Sequence, residues 1–245
     1  MMKNKIAAIV VGCMVLSGVA RADLLMQDSF TYANGQTTNV SGSAWFRISG
    51  TANDSLVNDG QLENFAARSD DVSRSLGVSN ATGSIYYSLT LQVTNLPSAA
   101  GTYIASIQQS STLFRDRLYI RTTGATAGNF RIGVANGSTF GGDWGSDLLL
   151  NTTYTIVVRS NLDTDESVLW VNPINESSFS VTNLVASTVS ATQFGFRQAS
   201  GGGNVLIDSV AVGTTFNNVV VPEPATAMMM VGGLGVLLYA RRRRT

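Results

Sequence analysis

No histidine occurs anywhere in the 245 residues. That absence excludes His-based triads, His general bases and His metal ligands together. The single cysteine, Cys13, lies in an apolar run near the N-terminus, so the rest of the chain has neither a disulfide nor a thiol nucleophile. Charge is scarce: Asp, Glu, Lys and Arg make up 13% of residues, about half the usual share. The formal net charge of zero hides an uneven layout. Lys3, Lys5 and Arg21 lie at one end, and Arg241, Arg242, Arg243 and Arg244 lie at the other. Setting these seven aside leaves nine basic residues, all arginine, against 16 acidic ones. The body is therefore acidic. Nucleic acid is excluded as an expected partner, because phosphate binding needs a basic patch. No long stretch shows helical periodicity, and no internal repeat of solenoid or propeller period is present.

The N-terminus combines a positive segment (Lys3, Lys5), an apolar run from Ile6 to Val19 and a small-x-small sequence, Ala20-Arg21-Ala22. This is the pattern of a secretory signal peptide, residues 1–22, cleaved after Ala22 by signal peptidase following Sec export. A lipoprotein box at Val11-Gly12-Cys13 fits less well, because the apolar run continues past Cys13.

The C-terminus, "VPEPATAMMMVGGLGVLLYARRRRT", carries a second membrane signal at residues 218–245. As a helix, Ala225 to Ala240 would be about 24 Å long, short for a hydrocarbon core of about 30 Å. Snorkelling arginines and local thinning accommodate the difference. Pro222 and Pro224 stop the helix from running upstream. The positive-inside rule keeps Arg241–Arg244 cytoplasmic, so the segment is expected to be a transmembrane stop-transfer anchor with the body outside. Pro222-Glu223-Pro224 would then sit extended and accessible at the outer boundary. Motif, apolar stretch with Gly232, Gly233 and Gly235, and terminal arginines together resemble the PEP-CTERM sorting signal of Gram-negative bacteria. The resemblance implies that Pro222, Glu223 and Pro224 are a recognition site for an exosortase, a membrane cysteine transpeptidase-like enzyme. It also implies transient inner-membrane anchoring, then delivery to the cell surface or matrix, and an association with exopolysaccharide and biofilm.

The body, residues 23–217, reads as β almost throughout. Short runs rich in β-branched and aromatic residues recur between Gly, Ser, Asn and Asp turns. Strands are expected at Leu24–Phe30, Ser84–Val93, Tyr103–Gln108, Arg117–Thr122, Phe130–Ala135, Thr153–Arg159, Ser167–Val171, Gln193–Arg197 and Asn204–Val212. Alternation puts Phe130, Ile132 and Val134 on one face and Arg131 on the other. Asn161–Glu166, Asn136-Gly137 and Gly201-Gly202-Gly203 are turn signals. Many strands without βα alternation argue for an all-β antiparallel sandwich. The segments "DSFTYANG", "SAWFRISG", "SLVNDGQLE", "TTYTIVVRSNLDTDESVLWVNP" and "FGFRQASGGGNVLIDSVAVGTTF" resemble, in order, the concanavalin A-like (laminin G-like) jelly-roll family. That resemblance implies two curved antiparallel sheets with the first and last strands as neighbours. The family includes lectins, polysaccharide-binding modules and glucanases, so fold alone leaves function open.

Glycosidases need two carboxyls at about 5–10 Å. The Glu-x-Asp-x-x-Glu type of motif carried by glucanases of this fold is absent here, and Glu63, Glu166 and Glu176 do not approach its spacing. No catalytic residue, cofactor or metal site is therefore expected, and the protein is read as a non-enzyme. Asp163, Asp165 and Glu166 are a candidate calcium cluster, but a hairpin turn favours Asp in its own right and is preferred. Asp70-Asp71 reads as a solvated loop. Trp45, Trp144 and Trp170 are candidate sugar platforms, with core packing the competing role. Trp144 lies in "STFGGDWGSD" beside Asp143 and Asp147, which makes these three the candidate glycan contacts. The expected function is that of an exported surface or matrix protein binding extracellular polysaccharide. The alternatives are a glycoside hydrolase of the same fold and a purely structural matrix component.

Overall fold

Alternation of apolar and polar side chains along a strand leaves it one face to bury, and the sixteen strands among the described residues form two sheets whose apolar faces meet. The structure is a computed structural model and describes residues 23–52 and 54–220. The expected signal peptide, transmembrane segment, motif 222–224 and basic cluster lie outside the described residues.

In chain order the elements are β1 (Leu24–Asp28), β2 (Gly35–Gln36), α1 (Thr37–Val40), β3 (Phe46–Ser49), β4 (Leu56–Asn58), β5 (Gln61–Phe65), β6 (Asp71–Asn80), β7 (Ser84–Asn95) and β8 (Thr102–Gln108). They continue with β9 (Phe114–Arg121), β10 (Asn129–Ala135), β11 (Leu148–Leu149), β12 (Thr153–Asn161), β13 (Glu166–Val171), β14 (Val181–Leu184), β15 (Ala191–Phe196), β16 (Asn204–Gly213) and α2 (Phe216–Val219). A nine-stranded sheet runs β14-β13-β12-β7-β16-β5-β4-β2, and β1 also pairs with β16. A seven-stranded sheet runs β11-β10-β9-β8-β15-β6-β3. The pairings are antiparallel, and the first and last strands are neighbours, Asp28 facing Val210. The protein is an all-β, jelly-roll type sandwich.

The main core lies between the sheets. Leu89, Leu91, Ile156, Val158 and Ile207 come from one sheet, and Leu118, Ile120, Phe130, Ile132, Val134 and Phe194 from the other. The Tyr87 and Phe194 rings meet across the gap at 5.1 Å. A second apolar cluster covers the opposite face of the larger sheet, where α2 lays Phe216 and Val219 on Tyr86, Val157, Val168 and Trp170. Phe216 stands edge-on to Trp170 at 5.6 Å, and Ser88 Oγ donates to the Val219 carbonyl at 2.6 Å. Val219 and Val220, which lie past the expected boundary at 217, pack on this face.

All nine expected strands are present. Three of the five segments behind the jelly-roll resemblance meet in the core. Phe30 of "DSFTYANG" stacks on Trp45 of "SAWFRISG" at 5.9 Å, and Phe196 of "FGFRQASGGG" meets Trp45 at 5.4 Å. Asp28 binds them together: its Oδ2 accepts from Tyr32 Oη (2.6 Å), Trp45 Nε1 (2.7 Å) and Arg74 Nη1 (2.7 Å), and its Oδ1 from the Phe30 amide (2.9 Å). A second buried polar group lies at β9. Asp116 adopts φ 48° and is fully buried with Arg115, whose Nε donates to it at 2.9 Å. Ser167 also donates to Asp116, and Arg115 Nη1 donates to the Val189 carbonyl at 2.8 Å. Burial pushes the Asp116 carboxyl up, with the Arg115 charge opposing.

Candidate functional site

The expected glycan contacts occupy an edge of the sandwich. The segment 141–144 runs beside β10: Trp144 N donates to Ile132 O at 3.0 Å, and Asp143 bridges Gly133. The Trp144 indole is half-buried against the main core and meets Phe179 edge-on at 5.1 Å. Asp143 pairs with Arg121 at 3.2 Å, and Asp147 with Arg131 at 2.6 Å. Asp147 also accepts from the Thr126 amide at 2.9 Å, and hydrogen bonds from Thr126 and Arg131 hold its carboxyl well below the usual range. Both carboxylates are thus engaged in fastening loops to β9 and β10.

The other candidates are placed as follows. Trp45 and Trp170 are buried, in the main core and under α2. Asp163 and Asp165 lie in the turn between β12 and β13, where Asn161 faces Glu166. Asp163 accepts from the Gly83 amide at 3.0 Å, and Glu166 pairs with Arg159. The expectation of a solvated loop fails at Asp70, which is 1% exposed. Its Oδ2 accepts from the Asp54 and Ser55 amides at 3.2 and 3.3 Å, because the loop leading into β4 has no sheet partner for those donors. Asp71 begins β6, where burial raises its carboxyl against the pull of Ser49, the Gln198 amide and Arg197.

A different site lies on the outer face of the seven-stranded sheet. In β9, Leu118 and Ile120 face the core, so Arg117, Tyr119 and Arg121 face outward. Tyr103 on β8 is registered opposite Tyr119, with their rings 5.8 Å apart. Phe114 lies 6.0 Å from Tyr103 and Phe140 lies 5.9 Å from Tyr119. Gly133 makes the second approach feasible: a Cβ there would lie 2.5 Å from the Phe140 ring. Arg197 arrives from the end of β15, its amide bonded to Ile104 O at 2.9 Å. Its guanidinium sits 4.6 Å from the Tyr103 ring centre, and that of Arg117 sits 5.3 Å from the same centre. Tyr103, Phe114, Arg117, Tyr119, Phe140 and Arg197, with Ser138 and Thr139 of the β10–β11 loop, line an open cleft of about 520 Å³. Burial raises the phenols of Tyr103 and Tyr119, with the arginine charges pulling them back, so both are protonated at neutral pH. Tyr119 is buried and its hydroxyl donates to the Ser138 carbonyl at 2.8 Å, which leaves Tyr103 as the phenol open to a ligand. The lining of the cleft among the described residues includes no Asp or Glu. Rings for a pyranose C–H face, with phenols, hydroxyls and guanidinium groups around them, suit the binding of a sugar chain.

Residues 220–244 match the PEP-CTERM protein-sorting motif, which implies export and sorting to the cell surface. Among the described residues no helix is long and apolar enough to cross a membrane. A comparison with curated protein sequences finds no match. Among solved structures, the body is similar to the potassium-bound Emp46p carbohydrate recognition domain (12% identity, TM-score 0.49, 81% of this chain and 97% of that one). It is also similar to the alginate lyase AlgAT5 of polysaccharide lyase family 7 (13%, 0.47, 77% and 93%). A third similar structure is the Lotus tetragonolobus seed lectin (10%, 0.46, 74% and 97%). No residue role follows from likenesses of this degree.

Proposed function

We propose that this protein is an exported surface or matrix component whose body binds extracellular polysaccharide without cleaving it, and that the cleft around Tyr103 and Tyr119 is the binding site. Its tail would be read by an exosortase at Pro222-Glu223-Pro224 after Sec export and removal of the signal peptide. The observation that carries the binding reading is the facing pair of tyrosines on adjacent strands, flanked by Arg117 and Arg197 in an open, aromatic-floored cleft.

The test is titration of the body, residues 23–220, against a polysaccharide panel that includes the producing cell's own matrix, with and without calcium. Saturable binding, lost in Tyr103→Ala and unaccompanied by new reducing ends or unsaturated sugars, is expected. Chain scission would overturn the non-enzymatic part. Failure to bind every glycan would leave a structural matrix component.

A further inference from the structure

Carboxylates outnumber arginines in the body, so an arginine left without one is informative. Six of the nine body arginines pair with a carboxylate within 4 Å: Arg68, Arg74, Arg115, Arg121, Arg131 and Arg159. Arg47 instead donates to the carbonyl of Gly50 at 2.7 Å. Like Arg47, Arg117 and Arg197 have no carboxylate within 4 Å among the described residues; unlike Arg47 they flank the same ring in the same cleft, with the Asp71 carboxylate acting on Arg197 from farther off. Each is pinned through one Nη1, Arg117 to the Gly137 carbonyl and Arg197 to Thr102 Oγ1 at 2.5 Å. A guanidinium carries five donors in a fixed fork, so each retains donors while its orientation is set. Packing on Tyr103 holds both forks without neutralising them.

We infer that the glycan bound in this cleft is anionic, its repeating pyranose carrying a carboxylate or a sulfate ester that Arg117 and Arg197 clamp while the sugar ring lies against Tyr103. This rests on the glycan-binding reading above. A neutral polysaccharide leaves both guanidinium groups without a carboxylate in contact, whereas an acidic one supplies an oxyanion to both. The forks match planar or trigonal oxyanions in a bidentate way, and the Tyr103 phenol is placed to donate beside them. The acidic remainder of the body repels a polyanion at a distance. That repulsion is screened beyond about 10 Å at 0.1 M salt, while contacts inside the cleft are not.

The experiment uses the full-length chain in neutral detergent, titrated calorimetrically with four polymers. These are polygalacturonate, its carboxyl-reduced neutral counterpart, dextran sulfate and unsulfated dextran. At least one charged polymer is expected to bind tenfold or more tightly than its neutral partner. Raising the salt concentration should weaken it. Arg117→Gln and Arg197→Gln should each lose about tenfold, since each removes a charge-assisted hydrogen bond. Equal binding of charged and neutral polymers would overturn the charge inference and leave glycan binding standing. Binding of none of the four would overturn the inference together with the reading it rests on, unless the matrix panel binds, in which case the charge inference alone falls. Charged-polymer affinity unchanged in the double variant would assign the attraction to Arg241–Arg244 and also overturn the inference. The polymer comparison needs only the wild-type chain, so it holds even where a variant folds poorly.

Discussion

Replacing Asp28 by alanine should be among the most damaging single changes to the body, and its cost can be worked from the structure. One carboxylate accepts four hydrogen bonds, from Tyr32, Trp45, Arg74 and the Phe30 amide. The Trp45 indole and the Phe30 amide belong to residues with no solvent exposure. Water cannot replace the lost acceptor for them, which costs about 1–3 kcal/mol each. Arg74 keeps 27% of its side chain exposed and turns to solvent, adding about 1 kcal/mol. Asp28→Ala should therefore lose about 4 kcal/mol, and the melting temperature should fall by roughly 8–16 °C for a domain of this size. Asp28→Asn keeps an acceptor for Phe30 but turns an amide toward the other donors, so about half to two-thirds of that loss is expected. Tyr32→Phe removes one partly exposed bond and should cost under about 1 kcal/mol. Urea unfolding followed by tryptophan fluorescence reads all three. An Asp28→Ala variant no less stable than Tyr32→Phe would refute the claim that this carboxylate clasps the two sheets.

Three further outcomes are expected. Arg115→Met strands the fully buried Asp116 carboxyl and should cost about 3–5 kcal/mol in urea unfolding; Asp116→Asn in that background should restore part of it, and strict additivity would refute the coupling. Burial, with Asp28 and Glu176 respectively adding to it, pushes the Tyr32 and Tyr86 phenols up to about 12, above the value near 10 of an unfolded chain. Their contribution to stability is then full below pH 10 and drains away as pH rises through about 12, so a urea midpoint unchanged between pH 9 and pH 11.5 would contradict it. Gly133→Ala sets a methyl 2.5 Å from the Phe140 ring and 2.6 Å from the Gly141 carbonyl before relaxation, so the loop carrying Phe140 must shift; glycan affinity should drop severalfold along with some loss of melting temperature, and unchanged affinity would remove Phe140 from the site.

The strands were legible wherever one face is apolar and the run unbroken, as in Phe130–Val134, whose three apolar side chains all reach the core. The strand β6 was not. Its sequence, "DVSRSLGVSN", is mostly small and polar, because Ser73 hydrogen-bonds Gln108 on the outer face at 2.6 Å and only Val72 and Leu76 fill the apolar core. Gly77 at φ 70° then interrupts the alternation. Asp70 reads as solvated from its sequence for a related reason: a carboxylate that caps loop amides leaves no pattern in its own neighbourhood. The glycine-rich composition around Trp144 pointed to a loop, correctly, but composition cannot tell a free carboxylate from one paired with an arginine on another strand. Half of the cleft did leave a signal. In "FRDRLYIR", Arg117, Tyr119 and Arg121 alternate with Leu118 and Ile120, which marks a polar face carrying an aromatic on a buried strand. The other half is a matter of register. Tyr103 meets Tyr119 because β8 pairs with β9, and Arg197 reaches Tyr103 because β15 pairs with the opposite edge of β8. A strand's own alternation says which residues face outward; only the order of strands in the sheet says which of them share a cleft.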